Sequence, residues 1–583
     1  TADAVAGYSE YKDAAIIVLG RPCSEGSDFQ PGEAGLSDVS EFSQSETKNI
    51  LSLSDDERDL IAHVKSQGFE KVIVLLNTAN AMEIDSLAND PDIDAILWIG
   101  TPGCYGTYGV ADILAGNVLP SGHLTDTYLV DTSTSPSIQN FGKTEYANQS
   151  EVDSDKAFTL VESEGIYIGY KYTETRYYDV VMSNYDAAKA TPRETADGGT
   201  TWNYDDEVTY SFGYGIEGST FSETIGEMEI DWTGKTDSSV TVRVTNTGAV
   251  AAKHVVQLYV RVPYTDYDRQ NGIEKSAIQL VGYGKTGEAK ESDFTETVLL
   301  APQESEEIVI TFNVKDFSSW DSSYAHDGTF GAYALEAGTY YFSTGNGAHD
   351  AVQSVIMAQD PDKLSEADPT AEPTGAVATA EKQEKTVFTE GADGYIIENQ
   401  LEDMDFTYSE YGDAFTSRGA KYLTRQDWSG TFPVSVSGVT ANAYMKKYLN
   451  NNFYDAAAAN AAYTGKEYTP EDFAKEGTTG AYTVIDLIGL TDYNDPMFGK
   501  VLSCIPLSYY STYLAGSNAA IPEIYLEHAN AADSPNGYIY GYGLYTSSRP
   551  PFALSSEDPV KGVSPNVYVG EPVIAATFSH LIP

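Results

Sequence analysis

The hydrophobic pattern of this chain changes period part-way along, and that change rules out a single repeating architecture. Over the first two hundred residues, short unbroken apolar runs alternate with helical stripes. Residues 14–20, Lys71–Asn77 and Ala95–Gly100 are runs of the kind that strands buried on both faces display. Between them, Ser54-Asp-Asp-Glu57 makes a capping box, and Leu60, Ile61 and Val64 form the apolar stripe of the helix it starts. Ala81–Leu87 and Val110–Ala115 are two further helix candidates. Strand and helix alternating at this spacing predict a parallel sheet with helices on its faces. Ligands of such sheets bind beyond the carboxyl ends of the strands, so residues 21–30, 77–82 and 100–109 should share one rim.

From about residue 225 the period becomes two. Val240, Val242 and Val244 alternate with polar residues, as do Val256, Leu258, Val260 and Val262, then Ile308, Ile310, Phe312 and Val314. Turn signals such as Asn246-Thr-Gly248 and Ala301-Pro302 separate these runs, which predicts a β-sandwich over 225–357. Residues 358–392 are rich in Asp, Glu, Pro, Thr and Ala and read as an acidic linker. Residues 393–583 are mixed, with helical material near 440–463 and 496–515 and strand candidates at Glu523–Leu526 and Val573–Thr577. A chain of 583 residues suits three or four domains, and no internal repeat is evident.

Charge narrows the function classes. With 34 Lys+Arg against 87 Asp+Glu the net charge is -53, which repels nucleic acid and anionic membranes. No apolar run approaches the ~18–20 residues of a membrane span. The three cysteines, Cys23, Cys104 and Cys504, make neither a disulfide scaffold nor a C-x-x-C pair. The seven histidines are scattered without an H-E-x-x-H, so no catalytic metal is expected. Abundant Tyr and Gly lean towards a secreted or surface protein. Thr1-Ala-Asp-Ala-Val5 is not a signal peptide, and the missing initiator Met is read as the mark of a processed or partial product.

Several residues could carry chemistry. Glu25 follows the first buried run, beside a glycine that permits a tight turn. A carboxyl group at the ligand edge can act as a general acid if burial raises its pKa; the plain alternative is one solvated loop carboxylate among 87 acidic residues. The loop Gly100-Thr-Pro-Gly-Cys-Tyr-Gly-Thr-Tyr-Gly109 stands where a phosphate loop would, but matches neither G-x-G-x-x-G nor a P-loop. Its plain reading is a wide turn admitting close backbone approach. Cys23 and Cys104 share the expected rim without an activating histidine nearby in sequence, and a disulfide between them stays open. Asn148-Gln-Ser150 is a glycosylation sequon of a kind common by chance. In the loop carrying His528 and Asp533, the carboxylate could accept two sugar hydroxyls or cap the turn that Ser534-Pro-Asn-Gly537 builds; on the residues alone the turn is preferred.

Taken in order, these segments resemble glycoside hydrolase family 3, the β-glucosidase-like enzymes. Residues 14–28 are similar to the family's strand and S/G-E-G loop, and Val72–Glu83 to its V-x-V-L-N-x-G-x-P-x-E segment. Pro102-Gly103, Ala111–Gly116 and Pro120-Ser-Gly122 resemble its P-G-Q-E-G, A-D-x-L-x-G and N-P-S-G-x-L run. Glu164–Tyr172 and Phe212–Gly215 match two more signatures, and Val244–Gly248 with Val255–Val260 resembles its fibronectin type III-like domain. Asp486–Gly489, Asp533–Gly537 and Pro572–Phe578 resemble the opening of its catalytic (β/α)8 barrel, here after the sandwich, as in the circularly permuted β-glucosidases of gut and rumen bacteria.

The resemblance implies a multidomain chain: an α/β sandwich domain over 1–224 lacking its N-terminal part, a fibronectin type III-like β-sandwich over 225–357, the linker, and the start of a (β/α)8 barrel over 393–583. It implies a retaining exo-β-glycosidase releasing glucose or xylose, with two carboxylates about 5–5.5 Å apart and no cofactor. By this likeness Glu25 is the acid/base and Asp533 holds hydroxyls of the terminal sugar. The nucleophile is an Asp of a later strand, and no Ser/Thr-Asp-Trp motif occurs in this chain. The implied partners are an oligosaccharide or aryl glycoside and the remainder of the barrel, with an oligomer possible; the implied setting is extracellular or cell-surface, in a bacterium. Tyr105 replaces the Glu of P-G-Q-E-G and Ser534 the Gly after the binding Asp, which motivates a competing reading, a non-catalytic surface or scaffold protein on the same fold.

Overall fold

The computed structural model describes residues 7–8, 10–21, 50–138, 144–153, 157–188, 201–288, 298–391, 394–428, 436–450, 461, 464–465, 469–514, 520–526 and 571–579. They form two compact units, residues 1–451 with 569–583, and residues 452–568. The architecture is multidomain with mixed α and β elements.

The first unit opens with three parallel strands in the order β1 (Ala15–Gly20), β2 (Val72–Asn77) and β3 (Ala95–Trp98). Helix α1 (Asp55–Lys65) starts at the expected capping box: Ser54 Oγ accepts from the Glu57 amide and Glu57 from the Ser54 amide. Its Ile61 and Val64 are buried with Ile17, Leu19, Val74 and Leu76. Helix α2 (Asp85–Ala88) is shorter than expected, while α3 (Gly103–Leu114) begins earlier. Gly103, Gly106 and Gly109 therefore stand in or at a helix instead of a wide loop, with Cys104 and Tyr105 in its first turn.

The period-two region forms antiparallel sheets. One orders β4 (Phe221–Glu229), β5 (Ser238–Asn246) and β8 (Ser305–Phe312), with β5 central. Another holds β6 (Val255–Arg261), β7 (Gln279–Lys285), β11 (Gly338–Ser343) and β12 (Val377–Lys382). Val240, Val242 and Val244 face Val256, Leu258 and Phe342 in one core. Each such side chain contributes about 1.5–3 kcal/mol on burial. Strand β6 is also buried on its other face, because Tyr259 packs with Ala351, Val352, Val355 and Ile356 of helix α5 (Ala348–Gln359) and with Tyr177 and Tyr178 of α4 (Tyr170–Val181). A third sheet joins β9 (Ser319–His326), β10 (Thr329–Leu335) and β13 (Thr386–Phe388).

The structure corrects three expectations about the later segments. Residues 358–392 are no linker: they supply helix α6 (Pro361–Ala367) and strands β12 and β13, and β12 pairs with β11 from Gly338↔Lys382 to Ser343↔Val377. Short side chains suffice on an edge strand, so the polar, Ala-rich composition concealed it. Val573–Thr577 is not a strand; Glu571–Ala575 is helical, since a four-residue apolar run reads alike in both states and Pro572 suits a helix's first turn. Glu523–Leu526 is a 3-10 turn at Pro522–Ile524 followed by Tyr525 at φ 58. Within 393–583 the described residues show isolated bridges but no barrel strand.

The boundary at 393 also shifts. Phe406, Phe415, Val439 and Met445 share a core with Tyr146, Val152 and Val161, and Leu423 and Trp428 share one with Tyr167 and Tyr172. Buried Arg425 locks this segment to α4: its Nε and Nη2 donate to the two Asp179 oxygens at 2.7 Å each. The second unit has its own small core of Val501, Cys504, Ile521 and Ile524.

Candidate active site

Because β1, β2 and β3 are parallel, their carboxyl ends lie on one edge, and three features there are built from the sequence segments expected at the rim. Arg21, the residue after β1, is buried. Its Nε donates to Ile50 O at 2.5 Å and Nη2 to Ser52 O at 2.8 Å, while Nη1 and Nη2 hold Glu57 at 2.6 and 2.8 Å. Arg21 and Ile50, which flank residues 22–49, are thus tied together at the strand end. The Arg21 guanidinium keeps the Glu57 carboxyl below the usual carboxylate range although burial alone would raise it.

At β2, Asn77 Nδ2 donates to Gly100 O at 2.6 Å, and Trp98 Nε1 donates to Thr78 O at 2.8 Å. These bonds join the ends of β2 and β3. Glu83, just past the rim segment 77–82, accepts from the amide and hydroxyl of Thr132 at 2.8 Å each. Its role is to tie two loops.

Against the end of β3 lies the helix α7 (Glu571–Ala575). Gly100 has φ +53, and a Cβ there would collide with Val573 Cγ2 and the Trp98 ring. Only glycine fits both the left-handed backbone and the contact. The docked segment continues: the His123 amide donates to Ala576 O at 2.9 Å, and Lys285 Nζ donates to Ser121 O at 2.8 Å and Thr577 O at 2.9 Å. Phe578 packs edge-on to His123, Phe212 and Tyr283. One short segment thereby contacts both the parallel-sheet domain and the sandwich.

A charge network underlies this junction. His123 Nε2 lies 3.0 Å from Glu217 Oε1, His254 Nδ1–H donates to Glu217 Oε2 at 2.5 Å, and His254 Nε2–H donates to Glu223 at 3.0 Å. The Val255 amide also donates to Glu217. Burial opposes both ionised forms, yet the histidines hold the Glu217 carboxyl down to about 2 and the two carboxylates push His254 up to about 10. These residues carried no sequence signal as a group.

Glu25, Cys23, His528, Asp533 and Ser534 lie outside the described residues, and so does any pairing of Cys23 with Cys104. Among the described carboxyl groups, burial raises Asp126 and Glu164. Asp126 accepts from the Thr127 amide, and Glu164 lines a cavity that contains none of the rim residues named above. Among the described residues no group of three or more His, Cys, Asp or Glu side chains is arranged to hold a metal, and no helix is long and apolar enough to cross a membrane.

Residues 1–170 match the family model described as the glycosyl hydrolase family 3 C-terminal domain. The chain is 28% identical over 372 residues to β-glucosidase A of Butyrivibrio fibrisolvens, spanning 60% of this chain and 37% of that protein. It is 28% identical over 361 residues to a β-glucosidase of Ruminococcus albus, with 61% and 30% covered. It is 24% identical over 281 residues to a probable β-D-xylosidase 6 of Arabidopsis thaliana, with 48% and 33% covered. The chain therefore spans about a third of the length of these relatives. A crystal structure of a β-glucosidase from Paenibacillus barengoltzii aligns with a TM-score of 0.45 at 25% identity, over 66% of this chain and 32% of that one.

Proposed function

Through residues 1–170 the chain belongs to glycoside hydrolase family 3, and from that premise we propose that it serves a retaining exo-β-glycosidase acting on terminal glucose or xylose. The observation that carries this reading is the clamped rim. Glu25 lies four residues beyond Arg21, whose guanidinium ties β1 to Ile50 and Ser52 beside the joined ends of β2 and β3. The names of the relatives, two β-glucosidases and a probable β-xylosidase, support the substrate class.

In the proposed reaction Glu25 protonates the leaving oxygen as a carboxylate nucleophile attacks the anomeric carbon, then takes a proton from the water that hydrolyses the glycosyl-enzyme. Asp533 accepts hydroxyls of the sugar being released. The nucleophile comes from a Ser/Thr-Asp-Trp strand that this sequence does not contain. The sandwich is proposed as the fibronectin type III-like domain, and the segment from Glu571 as the approach to the barrel. The family likeness, and a composition rich in Tyr and Gly and poor in Lys and Arg, support a location outside the cell or on its surface.

The test is Glu25→Gln in the whole gene product. Turnover of a disaccharide, whose leaving group needs protonation, should fall about 10²–10⁴-fold, with a smaller loss on a dinitrophenyl glycoside. Undiminished disaccharide turnover would overturn the assignment, and inverted configuration of the first-formed sugar by proton NMR would overturn the retaining mechanism.

A further inference from the structure

The signature Glu164–Tyr172 has no part in the proposed chemistry, yet it contributes both Glu164 and Lys171 to a cavity of about 1020 Å³. Val260, Phe317, Trp320 and Tyr333 line it from the sandwich side, and Phe406, Tyr422 and Leu423 line it from the 406–426 segment. The volume reaches the top of the ~300–1,000 Å³ range of small-molecule sites.

Two observations point to a ligand. Glu164 is only 8% exposed, and apart from its own backbone amide its carboxyl meets no donor among the described residues; burial raises its pKa, against the pull of that amide and with help from Glu162. Lys171 is partly buried, its ammonium meets no acceptor there, and burial alone lowers its pKa. Buried polar groups are ordinarily paired, so a carboxyl and an ammonium left open to one cavity mark a place where a partner can enter.

The lining limits what that partner can be. Its charged residues are Glu164, Glu274 and Asp316 against Lys171, Lys275 and Lys421, a balance unlike the surplus of acid in the chain as a whole. A cavity without net charge favours a neutral ligand over an ion. Trp320 and Tyr333 are cross-strand partners of β9 and β10 with ring centroids 5.0 Å apart, and Tyr333 is 44% exposed. Gly331 leaves room for the indole, since a Cβ there would come within 2.5 Å of the Trp320 ring. Aromatic faces take the C–H faces of a sugar ring, and the serine and threonine hydroxyls of the lining, with Glu164 and Lys171, suit its hydroxyl groups.

We propose that this cavity is an accessory binding site for a neutral β-linked oligosaccharide, apart from the catalytic rim. The choice of sugar rests on the glycosidase reading; the existence of the site does not. The test titrates cellotriose and xylotriose into the full chain by isothermal calorimetry, with Trp320→Ala, Trp320→Phe, Glu164→Gln and Lys171→Met as variants. Binding should weaken at least about tenfold in Trp320→Ala and recover in Trp320→Phe, the behaviour of an aromatic hot spot. Glu164→Gln and Lys171→Met should weaken it as well, and they carry the test if Trp320→Ala does not fold by circular dichroism. Absence of binding of either sugar, or binding unchanged in the folded variants, overturns the proposal. Glu25→Gln should bind as the parent does. Loss of the glycosidase reading with binding intact, or the reverse, therefore tells the two claims apart.

Discussion

Two sets of buried charge in this molecule are treated in opposite ways. At the junction of the parallel sheet and the sandwich, Glu217 is met by His123, His254 and the Val255 amide, and His254 is met on both ring nitrogens. In the cavity beside the sandwich, Glu164 and Lys171 meet no such partners among the described residues. Burial acts alike in both places, against the ionised forms. The difference shows which groups hold the fold and which stand open to something else: paired charges bind elements together, whereas unpaired ones cost stability and persist only where another interaction offsets them.

Substitution should expose the contrast directly. Glu217→Ala takes the acceptor from one ring nitrogen of each of His123 and His254 and from the Val255 amide in a buried junction, and should destabilise by about 3–5 kcal/mol in urea denaturation. A loss near that of an ordinary surface change, within about 0.5 kcal/mol, would show the network to be solvated.

The second expected effect is on pH dependence. Glu217 has a folded pKa of about 2 against 4.5, so its contribution is complete above pH 4.5 and is lost as acid takes the pH down through 2. His254 has a folded pKa of about 10 against 6.5, so its contribution is complete below pH 6.5 and is lost as the pH rises through 10. The junction should therefore be firmest between pH 4.5 and 6.5, and His254→Gln should flatten the alkaline limb of a plot of urea midpoint against pH. An alkaline limb as steep in His254→Gln as in the parent would assign the effect elsewhere.

The smallest effect belongs to the cavity. Glu164→Gln and Lys171→Met each remove a charge that no other described residue meets, so each should leave stability unchanged or raise it by up to about 1 kcal/mol. A loss of 2 kcal/mol or more in either would mean that the cavity's charges are structural after all, and the comparison would fail.

What could be read in the sequence follows from how local each signal is. Val240, Val242 and Val244 announce a one-sided strand because their partners lie within the same pleat. Ser54 and Glu57 announce a helix start because a capping box closes within four residues. The Arg21 clamp could not be read, since two of its acceptors are backbone carbonyls, of Ile50 and Ser52, which every sequence offers everywhere. Strand β12 was hidden because Val377-Ala-Thr-Ala-Glu-Lys382 looks polar by composition and becomes a strand only through its pairing with β11. The Glu164–Tyr172 signature was visible as a pattern, but a pattern does not say that its acid and base open into the same cavity.

The contact of Gly100 with Val573 joins positions separated by most of the chain's length. Ribosomal synthesis proceeds from the amino end, so the parallel sheet and the sandwich emerge long before the residues that cover the end of β3. Until then Trp98 and the pocket that Phe578 later fills among His123, Phe212 and Tyr283 stay bare, and closing so long a loop adds to the delay. The segment that covers the end of β3 is thus made long after the strand it covers, and the interval between the two is when this contact is open to chaperones and to aggregation.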